Sequence, residues 1–411
     1  MVTDWRRVNC RVCGSSKTKP FLDLGKQPLA NALLDRPDQD APAYPLGLEY
    51  CPSCTFVQTT FVPPPDEMFL DYPYVTGTSP STKKHFQDMA SEVARRVDLK
   101  PFSLVVDVGS NDGTLLEAFA HLGIGIDVVG VEPAENLAKA ARARGLPTIS
   151  GFFDHGTVTQ VHGLRGRADL ITACNVFTHV PDPRQFLEDA KTLMKDDGTL
   201  VLEIYYLWDI ISNGAFDMCY HEHMSYFSLR TLRALVEQVG LEIWNGQHLD
   251  VQGGSLRVYV SRKGLRPVDD FVGRVARSEY DLIRAIERYE DFGDRVEEHR
   301  DEILGFLQEA KRTGQKVAGY AAAAKATVLC NYLGIGPEDV RYVVEDNPMK
   351  QGKYLPGARI PIVGPDRLSE DPPDIVLIFS WNIAQDMVRK WKPQLPKTRF
   401  LVPLPELAEV G

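Results

Sequence analysis

Residues 105–119, VVDVGSNDGTLLEAF, constrain this chain more than any other stretch. The apolar run 104–108 predicts a buried parallel strand. It carries an acid, Asp107, and runs into a tight polar turn, Gly109-Ser110-Asn111-Asp112-Gly113. Thr114, Leu115, Leu116, Ala118 and Phe119 then open a helical pattern. A strand feeding a helix through glycines lets a ligand approach bare backbone. The turn is not the dinucleotide fingerprint, which would place glycine at position 111. Asp107 and Asp112 put acid where a pyrophosphate would be repelled. A ligand with a cationic amino-acid end and a ribose suits the turn better, and S-adenosylmethionine has both. A second apolar run, 127–131, ends in Glu132-Pro133, where an acid can hold two ribose hydroxyls. The bland alternative is an ordinary strand-to-helix turn with incidental acids.

At 411 residues the chain is too long for one ordinary core, so two or three domains are expected. No apolar stretch reaches the roughly 18 residues of a membrane span, and no membrane partner is expected. The start, MVTDWRRVNC, has no apolar run of the secretory kind, which predicts a cytoplasmic location. A net charge of −10 offers little to offset phosphate repulsion, so no nucleic-acid partner is expected. One local basic pocket for a pyrophosphate remains compatible with it.

Cys10, Cys13, Cys51 and Cys54 form two Cys-x-x-Cys pairs, while Cys174, Cys219 and Cys330 are scattered like small buried residues. Two thiolate knuckles separated by a loop are the pattern of a tetrahedral zinc site, with a redox pair as the competitor. Four protein ligands leave no open position, so the metal is expected to be structural.

The expected organisation has five parts. Residues 1–65 are proline-rich and loop-rich, with too small a core to fold without the metal. Residues 66–98 connect to the active site through Phe69, Tyr72, Tyr74 and an amphipathic helix over 81–97. An α/β domain spans 99–262, with strands at 104–108, 127–131, 170–173 and 200–204 and a late antiparallel one at 254–260. Residues 263–313 are a charged helical linker whose apolar stripe is Leu282, Ile283, Ile286 and Tyr289, with Gly293 marking a break. A second α/β unit, 314–411, has strands at 316–320, 343–345 and 375–379. Lys325 stands at the start of a helix there, where a cation and the helix end both favour phosphate.

The segment MCYHEHMSYFSL, 218–229, is dense in titratable and aromatic groups and follows the fourth strand of the central domain. His221 and His223 share a face if the chain is extended, with Glu222 opposite or closing a turn. The spacing is not His-Glu-x-x-His, so a zinc hydrolase helix is not indicated. A histidine is a natural base near neutral pH, a carboxylate can support it, and a tyrosine can donate to a developing oxyanion. These parts suit removal of a proton from carbon beside a ketone. The bland alternative is a core histidine bonded to a tyrosine. His179 lies in the loop after the third strand and either borders the ligand or merely shapes the loop.

Taken together, these motifs resemble one family across essentially the whole chain: the sugar-nucleotide C-3 methyltransferases of antibiotic deoxysugar biosynthesis. The resemblance is carried by Cys10-Arg11-Val12-Cys13, Leu24-Gly25, Pro28-Leu29-Ala30-Asn31, Cys51-Pro52-Ser53-Cys54 and Asp107-Val108-Gly109-Ser110-Asn111-Asp112-Gly113. It continues in Tyr220-His221-Glu222-His223, Tyr226-Phe227-Ser228, Gly319-Tyr320-Ala321-Ala322-Ala323-Ala324-Lys325 and Val344-Glu345-Asp346-Asn347-Pro348. The alanines at 321–324 depart from the family's turn, which is richer in glycine and serine.

The resemblance implies an α/β fold in three parts: a zinc-binding N-terminal region, a central class I methyltransferase domain and a C-terminal Rossmann-like domain. It implies S-adenosylmethionine held by Asp107, Gly109, Ser110, Asn111, Asp112, Glu132, Pro133 and Asn175, and structural zinc on the four cysteines. By the same carry-over His223 removes the C-3 proton and Glu222 supports or orients it. Tyr220 and Tyr74 bind the sugar, and His179 lies near the 4-keto group. Tyr72, Ala324, Lys325, Asp346, Lys353 and Tyr354 are expected to contact the substrate, a dTDP-linked 4-keto-deoxysugar that could carry a 3-amino group. Three domains in one chain can enclose the site, so a monomer is expected. The rivals are an O- or N-methyltransferase of the same fold and a non-catalytic binding module. A third, an oxidoreductase, lacks the glycine spacing in its last domain.

Overall fold

The computed structural model describes residues 9–70, 72–160, 165–280 and 285–411. The proline-rich start is more ordered than its composition implies. It forms three antiparallel strands, Lys19–Pro28 (β1), Ala43–Tyr50 (β2) and Val57–Thr59 (β3). Leu22, Leu24, Leu46, Leu48 and Val57 put an apolar face on the sheet. A loop-rich expectation missed this because part of the sheet's support comes from far away in sequence.

That support is the helix Ile286–Arg312, which lays Tyr289 and Phe292 on Phe21 and Tyr50 at ring separations of 4.7–6.4 Å. The helix runs through Gly293 without a break. Gly293 answers a different need: a Cβ there would stand 2.5 Å from the Phe21 carbonyl oxygen. Gly293→Ala is therefore expected to push helix and strand apart and cost about 1–3 kcal/mol, read as a lowered midpoint in thermal unfolding. An unchanged midpoint would mean that the helix shifts at no cost. Of the predicted apolar stripe, Ile286 is half-buried and Tyr289 buried, while Leu282 and Ile283 lie outside the described residues.

The central sheet grows from the strand that opened the sequence analysis. Leu104–Val108 (β4), buried at every position, pairs in parallel with Asp127–Glu132 (β5) and with Ala168–Cys174 (β7). Thr148–Ser150 (β6) extends one side and Met194–Tyr205 (β8) the other. The two-residue strand Ser225–Tyr226 (β9) leaves this domain and pairs with β3, becoming the fourth strand of the N-terminal sheet. Leu241–Leu249 (β10) and Ser255–Arg262 (β11) finish the central sheet in the order β10-β11-β8-β7-β4-β5-β6, with β11 antiparallel to both neighbours. The order reverses at β4, which opens a crevice at the carboxyl ends of β4 and β7, where sheets of this kind take ligands. Helix Pro80–Val97, capped by Ser79, buries Met89, Ala90, Val93, Ala94 and Val97 among residues of β4, β7, β8 and β11.

The last unit is parallel through Val317–Tyr320 (β12), Val343–Val344 (β13), Ile362–Val363 (β14), Ile375–Ile378 (β15) and Arg399–Val402 (β16). An antiparallel Ala408–Glu409 (β17) closes its edge. Its order, β14-β13-β12-β15-β16-β17, reverses at β12, and helix Ala324–Leu333 starts beside that point. The N-terminal segment docks here. Leu34 and Tyr354 exchange backbone hydrogen bonds at 2.8 and 3.0 Å, and Thr327 Oγ1 donates to the Ala30 carbonyl at 2.9 Å. Among the described residues, no helix is long and apolar enough to cross a membrane.

Candidate active site

The glycine turn after β4 is built for close approach. Gly109 has φ +65°, and a Cβ on it would stand 2.3 Å from Val176. Asn111 also takes a positive φ, +52°. Ser110 Oγ and, across the crevice after β7, Asn175 Oδ1 are buried polar atoms with no partner among the described residues. Asp107 accepts from Thr172 Oγ1 at 2.6 Å, and burial pushes its carboxyl up to about 7. Glu132 accepts from the backbone N–H groups of Asn111 and Ala134, both at 2.8 Å, so it staples the ends of β4 and β5 together, with Pro133 between its own position and Ala134. Asp112 is engaged elsewhere: Thr114 Oγ1 donates to it at 2.6 Å and Arg144 pairs with it at 3.3 Å.

Segment 72–78 crosses this turn. Asn111 Nδ2 donates to the Tyr74 carbonyl at 3.0 Å, Asn111 Oδ1 accepts from Thr76 N at 2.9 Å, and Asn136 Nδ2 donates to the Tyr72 carbonyl at 3.1 Å. The Tyr72 hydroxyl donates to Glu222 Oε2 at 2.5 Å. The segment thus ties the cofactor-side turn to the histidine-rich one.

Residues 220–223 form a tight turn, with His223 N donating to the Tyr220 carbonyl at 2.9 Å. The extended chain that would set both histidines on one face is absent, and the two rings diverge. His221 Nε2 meets the Pro45 carbonyl at 3.2 Å and its ring lies edge-on to Tyr44. His223 Nδ1 donates to the Met218 carbonyl at 2.7 Å, which leaves Nε2 as the lone-pair nitrogen. That Nε2 is buried with no partner among the described residues. Around the ring stand Tyr220 (3.8 Å between centroids), Tyr205 (4.6 Å) and His179 (5.2 Å), and His179 stacks in turn on Phe69. Burial first, then the charges of His179 and Lys325, hold the His223 imidazole well below its usual range. Burial brings His179 down to about 4.

Glu222 makes no hydrogen bond to His223, whose Nδ1 is taken by the Met218 carbonyl. Its own oxygens take Tyr72 and Asn31, whose Nδ2 donates at 2.7 Å. Burial still wins over these donors and over nearby Lys350, raising the carboxyl to about 7.

In the C-terminal unit Ala324 and Lys325 begin the helix, as expected. The Lys325 side chain, however, is buried against Trp381, 4.3 Å from the ring, and donates to Asn382 at 3.1 Å. Asp346 pairs with Lys390 and accepts from the Tyr320 hydroxyl, both at 2.8 Å. Lys353 pairs with Asp35 at 2.9 Å, beside the Tyr354 contact. The charged members of this set are therefore already partnered: Lys353 by the N-terminal segment, Lys325 by the turn after β15, and Asp346 by Tyr320 of β12 and Lys390 of the helix Ala384–Trp391.

Cys10, Cys13, Cys51 and Cys54 converge, with all four sulfurs within 4.8 Å of one another. Sγ separations of 3.5 Å (Cys10–Cys54) and 3.6 Å (Cys13–Cys51) approach the ~3.8 Å edge that Zn–S bonds of about 2.3 Å give a tetrahedron. The donor set therefore fits zinc. Among the described residues it is the one group with metal-holding geometry.

Family models match three consecutive parts of the chain: a zinc binding domain over residues 10–69, a methyltransferase domain over 82–245 and a C-methyltransferase C-terminal domain over 250–405. The C-methyltransferase NovU of Streptomyces niveus is 35% identical over 404 residues, spanning 97% of this chain and 95% of its own length. The chain belongs to the C-methyltransferase family of NovU. A ubiquinone biosynthesis O-methyltransferase of Actinobacillus pleuropneumoniae is 36% identical over 105 residues, 23% of this chain and 43% of its own. A solved S-adenosylmethionine-dependent methyltransferase of Clostridium acetobutylicum covers 44% of this chain and 92% of its own, at 14% identity and TM-score 0.36.

This C-methyltransferase is S-adenosylmethionine-dependent and zinc-binding. Its β4 turn fits the cofactor: the backbone is bare at Gly109, Ser110 Oγ and Asn175 Oδ1 lack partners among the described residues, and Glu132 stands at the end of β5. Sequence reasoning gave no role to Asn31, Tyr205 or the Met218 carbonyl, and placed Phe69 only in the aromatic connector. Asn31 lies 191 positions from the carboxylate it donates to, and a carbonyl has no side-chain signature.

The raised Glu222 carboxyl has a consequence for stability. Between its unfolded pKa of about 4.3 and its folded value of about 7, the native state binds more protons than the unfolded one. Stability from this group is therefore present at low pH and falls as pH rises through that window. Glu222→Gln in the C-methyltransferase is expected to flatten the loss between pH 5 and pH 8 by up to about 3 kcal/mol. Urea unfolding at the two pH values reads it, and an unchanged slope would show the carboxyl to be ionised throughout.

Proposed function

We propose that this enzyme methylates C-3 of a dTDP-linked 4-keto-deoxysugar in antibiotic deoxysugar biosynthesis, with His223 as the base. The observation that supports it most is the His223 ring itself, with Nδ1 donating to Met218 and Nε2 buried, neutral and unpartnered among the described residues. Methylating carbon requires a base for a C–H proton, whereas oxygen and nitrogen already carry lone pairs. Bound S-adenosylmethionine supplies an electrophilic sulfonium methyl. His223 Nε2 takes the C-3 proton. Tyr220 and Tyr205 keep their hydroxyl protons, because burial raises both above the usual phenol range, and so remain donors for the oxygen that gains charge. Glu222, Tyr72 and Asn31 hold the floor of the sugar site, and Tyr74 and His179 flank it. In this reading the nucleotide lies where the N-terminal segment meets the start of helix Ala324–Leu333, near Lys325, Asp346, Lys353 and Tyr354. The active species is a monomer.

The test is solvent exchange. The enzyme is incubated in D₂O with a dTDP-4-keto-2,6-dideoxyhexose, with and without S-adenosylmethionine. Deuterium at C-3 without the cofactor and a C-3 methyl with it are expected by NMR and mass spectrometry. A methyl on oxygen or nitrogen with C-3 hydrogen retained would sink the C-3 assignment.

A further inference from the structure

The carbonyl that fixes the His223 tautomer belongs to Met218, the last residue of the single turn Phe216–Met218. That turn is held from the C-terminal unit. Its middle residue, Asp217, is 1% exposed, and Asp217 Oδ2 accepts from Trp381 Nε1 at 3.0 Å. Trp381 opens the turn after β15, at the point where the strand order of the C-terminal sheet reverses. The same indole lies under the Lys325 ammonium at 4.3 Å. It also meets the hairpin between β10 and β11, since a Cβ on Gly253 would stand 2.5 Å from its Cη2. One half-buried indole therefore touches the catalytic turn, the cofactor domain and the helix start of the last unit.

The bond to Asp217 matters most because of what Asp217 adjoins. Its carboxylate is buried, and burial raises its pKa against the Lys325 charge, the indole N–H and the backbone N–H groups of Asp217 and Met218. Oδ1 has no hydrogen-bond partner among the described residues. A buried carboxylate that loses its best donor must find another or move, and the nearest peptide to move is that of Met218. The Met218 carbonyl would then leave His223 Nδ1, and the proton on the imidazole would no longer be confined to that nitrogen.

We propose that Trp381 and Asp217 are positioning residues that hold the Met218 carbonyl and, through it, the base-competent tautomer of His223. The proposal rests on His223 being the base. It gives the C-terminal unit a part in the chemistry beyond ligand binding, because the residue that secures the base is carried on the β15 turn.

Trp381→Phe keeps a ring beside Lys325 and removes only the donor. Asp217→Ala breaks the same bond from the other side, and Asp217→Asn keeps the acceptor. The first readout is ¹⁵N NMR of histidine-labelled enzyme, with the His223 signals assigned by their loss in His223→Gln. The second is C-3 exchange in D₂O, and the third is calorimetric titration with S-adenosylhomocysteine. For Trp381→Phe and Asp217→Ala we expect the Nδ1–H signature of His223 to be partly replaced by Nε2–H. Exchange should fall about 10- to 100-fold, the scale of a small misplacement of a reacting group, with S-adenosylhomocysteine affinity within about twofold of wild type. Asp217→Asn should stay within about threefold of wild type in exchange. The proposal is overturned if either disrupting variant binds S-adenosylhomocysteine normally and keeps the wild-type tautomer signature. If instead His223→Gln leaves exchange intact, the base assignment fails, whatever the tautomer does in the other variants.

Discussion

His223→Ala should slow C-3 proton exchange and methyl transfer by about 10²- to 10⁴-fold, the usual worth of a positioned general base, while S-adenosylhomocysteine binds as in wild type. The separation is expected because His223 sits on the turn before β9, whereas the groups that fit the cofactor sit after β4, β5 and β7. The low basicity of His223 in the free enzyme is not an obstacle. Desolvation and the neighbouring Lys325 charge disfavour the imidazolium, and an oxyanion developing on the substrate reverses that balance when it is needed. The same burial sets an acid limit. A histidine whose folded pKa is lowered gives stability that is present above its unfolded pKa of about 6.5 and lost as pH falls below it. His223→Gln should therefore soften acid unfolding even as it slows exchange. Exchange at the wild-type rate in His223→Ala would move the base elsewhere, with His179 the first alternative, since its Nε2 is also buried without a partner among the described residues.

Much of this site was legible in the chain because its parts are local. The strand Leu104–Val108 was predicted to its ends, as five consecutive buried positions, four of them apolar, and a glycine turn leave little freedom. The Cys-x-x-Cys spacing foretold the knuckles, since each closes on itself through backbone bonds such as Gly14 N to the Cys10 carbonyl and Thr55 N to the Cys51 carbonyl. What escaped depends on distance. The N-terminal sheet takes its fourth strand from Ser225–Tyr226 and its covering helix from Ile286–Arg312, and neither partner shows in the prolines between 28 and 65. Gly293 looked like a helix break because its neighbour, the Phe21 carbonyl, is visible only in three dimensions. For the His221 and His223 pair the chain left an extended segment and a turn both open, because two-residue spacing implies a shared face only in extended chain, and here the backbone turns. Lys325 was placed correctly at a helix start, but its partners Trp381 and Asn382 arrive from another strand's end.

Removing zinc should stop methyl transfer and leave cofactor binding largely in place. The second knuckle, Cys51 to Cys54, runs straight into β3, and β3 pairs with β9 through Val57–Tyr226 and Gln58–Ser225. β9 begins two residues after His223. Phe56, between knuckle and strand, packs on Phe227 at 5.2 Å, and Phe227 packs on Phe177 at 5.0 Å, at the head of the turn that carries His179. The metal thus fastens a strand that fixes the end of the turn carrying His223 and an aromatic stack beneath His179. Structural zinc contributes about 10–16 kcal/mol to the folding of small isolated domains. The share lost here is expected to be smaller, about 4 kcal/mol or more, because the sheet also packs on helix Ile286–Arg312. The seven-stranded sheet has its own buried core, in which Val106, Ile171, Leu200 and Val258 are fully enclosed, and should survive. Chelated enzyme, or Cys10→Ser with Cys51→Ser, is therefore expected to show an early unfolding transition and no C-3 exchange, with S-adenosylhomocysteine affinity within a few-fold of wild type. Restored zinc should recover exchange in the chelated protein and not in the double variant. Full exchange in metal-free protein would show that the N-terminal sheet holds the catalytic turn by packing alone.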